Sequence, residues 1–164
     1  MESLTVYSHS PEETMALGRK LAGELEPGDL ISVVGEVGAG KTALVQGIAQ
    51  GLGISDRITS PSYLLIREHR DGQVPLFHVD AYRISDPAEL IEIGIGDYLL
   101  EETGITAIEW GEKLVGLLPP GITVRLRITG PNDRSIEIIP FTGGDNHFRS
   151  FEMGEHQVSQ GEPG

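Results

Sequence analysis

The sequence predicts an α/β fold in which a mixed, mostly central β-sheet is flanked by helices. Three observations carry that expectation. Short apolar runs of strand length alternate with stretches of helical periodicity; a strand, a glycine-rich turn and a helix follow one another directly between Leu30 and Leu52; and two pairs of strands are joined by tight turns. The turns make the sheet mixed rather than all parallel, because a tight hairpin joins only antiparallel neighbours.

The first element is a helix. Ser10 can cap it, Pro11 suits its first position, Glu13 completes a capping box, and Leu17, Leu21 and Leu25 mark one buried face before Glu26-Pro27-Gly28 ends it. Leu30–Val34 is a short apolar run typical of a buried strand, and Lys41–Leu52 carries Leu44, Val45, Ile48 and Leu52 at helical spacing, with Gly53 as a stop. Residues 63–67 and 75–79 read as strands around an Asp71-Gly72 turn. Asp86–Leu90 begins a short helix, Ile105–Ile108 is a strand, and Val124–Ile128 with Ser135–Ile139 form a second hairpin across Gly130-Pro131-Asn132-Asp133. The patterning fails from Gly143 onward. Residues 1–143 are therefore expected to form one domain, and 144–164 a disordered tail.

Composition narrows the function. Twelve basic against 25 acidic residues leave a net charge of −13, the wrong sign for direct, tight binding to a nucleic-acid backbone. There is no cysteine, and the five histidines (His9, His69, His78, His147, His156) show no short ligand spacing, so neither a disulfide framework nor a zinc site is expected. The N-terminus lacks a basic start followed by an apolar stretch, and no run is long enough to span a bilayer. A cytoplasmic protein is the expectation, with no membrane partner.

The chemistry-bearing motif is Gly35-Glu36-Val37-Gly38-Ala39-Gly40-Lys41-Thr42, which has the G-x-x-x-x-G-K-[ST] spacing of a P-loop. The glycines let the backbone curl so that successive N–H groups face phosphate oxygens, and the helix that follows offers its positive end. Lys41 adds a mobile cation for the β- and γ-phosphates, and Thr42 a hydroxyl for Mg²⁺. A buried-strand pattern enters the motif and a helical pattern leaves it, as this use requires. Gly35 to Thr42, with Ala43 behind them, are thus expected to hold ATP in a P-loop NTPase fold.

Such a loop needs a carboxylate near the metal, usually at the end of a neighbouring strand. Asp80 and Glu109 each end an apolar run, and both are candidates. Asp86, Glu89, Glu92, Glu101, Glu102 and Glu112 lack that setting and read as a solvated face. Trp110, the only tryptophan, can stack near the site or fill the core; His78, inside an apolar run, reads as a hydrogen-bonded structural histidine.

Several separated stretches together resemble one family. They are Thr14, Leu17 and Gly18 in the first helix, the phosphate loop, Thr59-Ser60-Pro61-Ser62-Tyr63, His78-Val79-Asp80-Ala81-Tyr82-Arg83, Glu89-Leu90 with Gly94, and Ile108-Glu109-Trp110. Their order and intervals are similar to those of the bacterial TsaE proteins, ATPases of tRNA threonylcarbamoyladenosine biosynthesis, over about residues 10 to 112. Ser62 stands where that family usually has threonine, and Gly111 where proline commonly follows. The resemblance implies that the loop binds ATP, that Thr42 and Glu109 hold Mg²⁺, and that Asp80 orders a water or the outer shell of the metal. It further implies that residues 59–63 form a γ-phosphate-sensing switch, and that residues near Ser10 to Thr14, Pro11 among them, flank the adenine. Lys41, Asp80 and Glu109 are then the catalytic set, with Trp110 beside the nucleotide. The implied partners are the TsaD and TsaB proteins, and tRNA only through them.

Without a cationic finger such a site is slow by about 10³ to 10⁵ fold. Arg57 and Arg83 are positioned as candidates, but surface pairing with nearby acids explains either equally well. A small-molecule kinase lacks support, since no arginine-rich lid segment is present, and a GTPase lacks an Asn-Lys-x-Asp base-reading motif. An ATP-sensing adaptor is the competing non-enzymatic reading.

Overall fold

The computed structural model describes residues 3–55, 58, 66–86, 88–92, 94–100, 103–110 and 121–140. Seven strands form one sheet among them: β1 (Leu4–Ser8), β2 (Leu30–Val34), β3 (Ile66–His69), β4 (Leu76–Asp80), β5 (Ile105–Glu109), β6 (Ile122–Ile128) and β7 (Arg134–Ile139). The helices are α1 (Pro11–Glu24), α2 (Lys41–Gly51), α3 (Ala88–Glu92) and α4 (Ile95–Leu100). None is long and apolar enough to cross a membrane.

The strand order is β1-β7-β6-β2-β5-β4-β3. β6, β2, β5 and β4 run parallel at the centre, and antiparallel pairs (β3 on β4, β7 on β6, β1 on β7) finish both sides. The sheet is mixed, as the two hairpins require. Every residue of β4 and of β5 is buried, the pattern of parallel strands covered on both faces. On one face Ile31, Val33, Ile105 and Ala107 pack with Leu17, Leu21, Leu44 and Ile48 of α1 and α2; on the other, Leu30, Val79 and Ile108 pack with Ile84 and Ile95.

α1 starts where the sequence places it. Ser10 accepts a hydrogen bond from the Glu13 N–H at 3.1 Å, while the Glu13 carboxylate reaches back one residue further than a standard capping box, to the His9 N–H at 2.7 Å. α2 ends at Gly51, with Gly53 at φ 78° beyond it. The two helices approach closely because glycines face each other: a Cβ on Gly47 would lie 2.9 Å from Met15 Cα, and one on Gly18 2.9 Å from Gly47 Cα.

The structure also corrects the reading. β1 precedes the first expected element and pairs with β7 as an edge strand; α4 follows the Gly94 turn without having been expected. β6 starts two residues earlier than the hairpin pattern indicates, at Ile122, and the short helix runs Ala88–Glu92 rather than from Asp86. The hairpin of β3 and β4 is present, with β3 extending to His69; residues 63–65, the expected domain end at 143 and the tail 144–164 lie outside the described residues.

Gly47→Ala is expected to destabilise the protein by about 1–3 kcal/mol, because the added methyl meets backbone rather than a yielding side chain. A lower urea midpoint at unchanged slope would show it, and an unchanged midpoint would contradict the packing described.

Candidate functional site

Parallel strands that share a direction also share a carboxyl edge, and in open α/β sheets ligands bind there. β2, β4 and β5 deliver the phosphate loop, Asp80 and Glu109 to that edge, with Asp80 and Glu109 directly paired in register. Gly38 (φ 82°) and Gly40 (φ 100°) take left-handed conformations that side chains disfavour, and so allow the loop to curl into the start of α2. Gly40 is the N-cap of α2 and offers no side-chain cap, leaving the helix N–H groups open to an anion. Gly35 lets the loop lie against β6, since a Cβ there would sit 2.7 Å from the Leu126 carbonyl oxygen.

Lys41 is buried at the first turn of α2. Its Nζ donates to the carbonyls of Gly35 (2.6 Å) and Glu36 (2.9 Å) and lies 4.0 Å from the centre of the Trp110 ring. A cation over an indole gains about 0.5–2 kcal/mol, which adds to the two hydrogen bonds that hold the ammonium beside the loop. Trp110 has φ 63°, unusual for a residue with a side chain, and its N–H donates to the Val33 carbonyl at 3.1 Å. That conformation turns the ring toward the loop, where it meets Tyr82 at 5.2 Å. Trp110 thus does both things the sequence left open: it packs against the second apolar cluster and walls the site.

Glu109, 3% exposed, is held from two sides. Its Oε1 accepts from the Thr42 hydroxyl at 3.3 Å, and its Oε2 bonds His78 Nε2 at 2.5 Å. His78 is wholly buried, and among the described residues its Nδ1 has no hydrogen-bond partner. An orphaned ring N–H in the core costs more than an orphaned lone pair, which places the His78 proton on Nε2, donating to the carboxylate. Asp80 Oδ1 accepts from the Tyr82 N–H at 2.9 Å.

These groups surround a cleft of about 430 Å³, within the range of small-molecule sites. Val37, Gly38, Gly40, Lys41, Thr42, Ala43, Asp80, Glu109 and Trp110 line it, together with Tyr82, to which the sequence reading gave no site role. Gly35, Glu36 and Ala39 contribute the backbone behind it. Pro11 is exposed at the head of α1 and does not line this cleft, although Thr14, one turn on, lies beside Gly40. Arg83 is exposed and does not line it either; Arg57 and residues 59–63 lie outside the described residues. Arg134, which bonds to the loop from β7, was missed because nothing local to its sequence points there.

His9 and Asp133, 124 residues apart, join the head of α1 to the β6–β7 turn through a 2.8 Å bond. That bond, helped by the nearby Glu13 and Asp133 charges, raises the His9 pKa above its ordinary 6.5. A raised folded-state pKa adds stability that is complete below the unfolded value and lost as pH rises through the folded one. The urea midpoint difference between wild type and His9→Gln is therefore expected to shrink from pH 5.5 to 8.5; a difference that grows would contradict the pairing. His78→Leu is expected to cost about 1–3 kcal/mol by leaving one oxygen of a buried carboxyl without its donor. The double variant with Glu109→Leu should recover part of that loss, and strict additivity of the two would count against the contact.

The family model described as "Threonylcarbamoyl adenosine biosynthesis protein TsaE" matches residues 8–137. A Bacillus subtilis protein named tRNA threonylcarbamoyladenosine biosynthesis protein TsaE is 33% identical over 159 residues, spanning 95% of this chain and 97% of that protein. A Haemophilus influenzae protein of the same name is 37% identical, over 92% of this chain and 99% of the relative. The crystal structure of Bacillus subtilis YdiB superposes with a TM-score of 0.73 at 30% identity, covering 85% of this chain and 86% of that one. The match across nearly the whole length, in sequence and in fold, shows that the chain belongs to the TsaE family.

Proposed function

We propose that the protein is an ATPase that binds Mg-ATP and acts with TsaD and TsaB proteins in the threonylcarbamoyladenosine modification of tRNA. Residues 1–143 would form its one catalytic domain, and the cytoplasm would be its place of work. Membership of the family makes it a nucleotide-binding protein of a multi-protein biosynthesis. The observation that carries the reading further is the convergence of Lys41, Thr42, Asp80 and Glu109 on one cleft at the uncapped head of α2.

In this reading the loop from Gly35 to Thr42 cradles the phosphates, Ala43 lies at the first turn of α2, and the base extends toward Pro11. The Lys41 ammonium leaves the carbonyls of Gly35 and Glu36 for the β- and γ-phosphates. The donor set suits Mg²⁺: hard oxygens from Thr42 and Glu109 lie within 3.3 Å of each other and would hold the ion together with phosphate and water oxygens. When bound, the ion would neutralise charge on the phosphates. No cluster of three acids or histidines able to cage a metal occurs among the described residues, and such a site needs none. Asp80 would orient the attacking water, and Trp110 would wall the nucleotide.

Charge supports the division of labour. A chain at −13 is suited to leave tRNA to its partners. Among the described residues no arginine lines the cleft, which favours slow turnover alone and completion of the site by a partner.

The test is steady-state ATP hydrolysis by the wild type and Lys41→Ala, each alone and with TsaD and TsaB. Activity should be slow alone, rise at least ten-fold in the mixture and vanish in the variant. Fast turnover unchanged by partners would overturn the partner-completed reading. Failure of an Asp80→Ala variant that still binds ATP to support modification would separate hydrolysis from an ATP-sensing adaptor, which should keep working.

A further inference from the structure

We propose that Arg134 is a positioning residue for the phosphate loop, fixing two of its peptide planes so that the loop keeps its curl and the Gly40 N–H faces the ligand. The inference rests on the reading above that this loop binds phosphate.

Arg134 opens β7, and its half-buried guanidinium reaches across to the loop. Nη2 donates to the Gly38 carbonyl at 3.0 Å and Nε to the Ala39 carbonyl at 3.2 Å, while Nη1 donates to Gly130 (3.0 Å) and Asp133 (2.8 Å) in the β6–β7 turn. These four bonds engage backbone carbonyls alone, in a chain that carries 25 acids. An arginine kept only for surface pairing would be expected to take a carboxylate; this one spends a rigid fork on four fixed oxygens.

Geometry gives the contact its consequence. In a planar trans peptide the C=O and the following N–H point in opposite directions. Holding the Gly38 and Ala39 carbonyls toward β7 therefore keeps the Ala39 N–H on the Glu36 carbonyl, to which it donates at 3.1 Å, and turns the Gly40 N–H away from β7. Gly38 and Gly40, with φ of 82° and 100°, supply little steric resistance to a flip of these planes, so beyond the Ala39–Glu36 turn bond the restraint comes from outside the loop. Lysine cannot replace it, since one ammonium does not span both pairs of carbonyls. The guanidinium also leaves its positive charge directly behind a loop meant for anions.

Mg-ADP titration of the wild type, Arg134→Ala and Arg134→Lys tests this, read by calorimetry beside thermal melting. Arg125→Ala serves as the control: it removes an arginine of the same hairpin, paired with Glu137 at 3.2 Å, and touches no loop residue in these hydrogen bonds. Both Arg134 variants should bind at least ten-fold more weakly, whereas Arg125→Ala should bind as wild type does. About 20 mM guanidinium chloride should restore binding to Arg134→Ala alone. Wild-type affinity in Arg134→Ala would overturn the proposal. So would weakened binding that matches a fall in melting temperature and is not restored by guanidinium. A wild type that fails to bind Mg-ADP would instead overturn the phosphate reading itself, and this proposal with it.

Discussion

The shared direction of β2, β4 and β5 is the constraint on which the site depends. Because these strands are parallel and adjacent, the sheet needs no further device to bring the phosphate loop, Asp80 and Glu109 to one edge. Their burial on both faces makes the register rigid: a slip of one residue would carry Ile31 and Val33 out of one apolar cluster and Leu30 out of the other, and turn the polar Ser32 toward the first. The core thus determines the separation of Asp80, Glu109 and the loop. The closeness of α1 and α2, allowed by Gly18 and Gly47, belongs to the same economy, since it brings the head of α1 next to Gly40.

On that frame the polar groups form two linked systems. In one, His78 reaches out of the core to orient Glu109, whose other oxygen meets Thr42 at the start of α2. In the other, the loop is held from both sides, by Lys41 on the carbonyls of Gly35 and Glu36 and by Arg134 on those of Gly38 and Ala39. The two cations differ in what they can do. Lys41 is a flexible point charge able to exchange carbonyls for phosphate, whereas the Arg134 fork is suited to stay in place. Their positive charge is concentrated at a loop within a chain of net charge −13.

Much of this was legible in the sequence because local chemistry dictates it. Ser10, Pro11 and Glu13 announce a helix start, the loop spacing announces its own glycines and lysine, and apolar runs ending in Asp80 and Glu109 announce strand ends. The contacts that join distant segments were not legible. Arg134 lies 95 residues from Ala39, and His9 lies 124 from Asp133, so neither pairing leaves a local pattern. His78 was readable as a buried histidine but not as the partner of Glu109, because that pairing depends on the β4–β5 register. β1 went unread because a five-residue edge strand with mostly half-buried residues has little periodicity to show. α4 is likewise short, and its start depends on the left-handed Gly94.

The central claim is that one cleft assembles the phosphate loop with the Thr42 and Glu109 oxygens around a magnesium nucleotide. A crystal structure of the protein with Mg²⁺ and a non-hydrolysable ATP analogue tests it most directly. The phosphates are expected on the N–H groups of Gly38 and of residues 40–42, Lys41 released from the Gly35 carbonyl, and the ion in contact with Thr42 and with Glu109 directly or through water. Phosphates bound elsewhere, or an ion held without either residue, would contradict it.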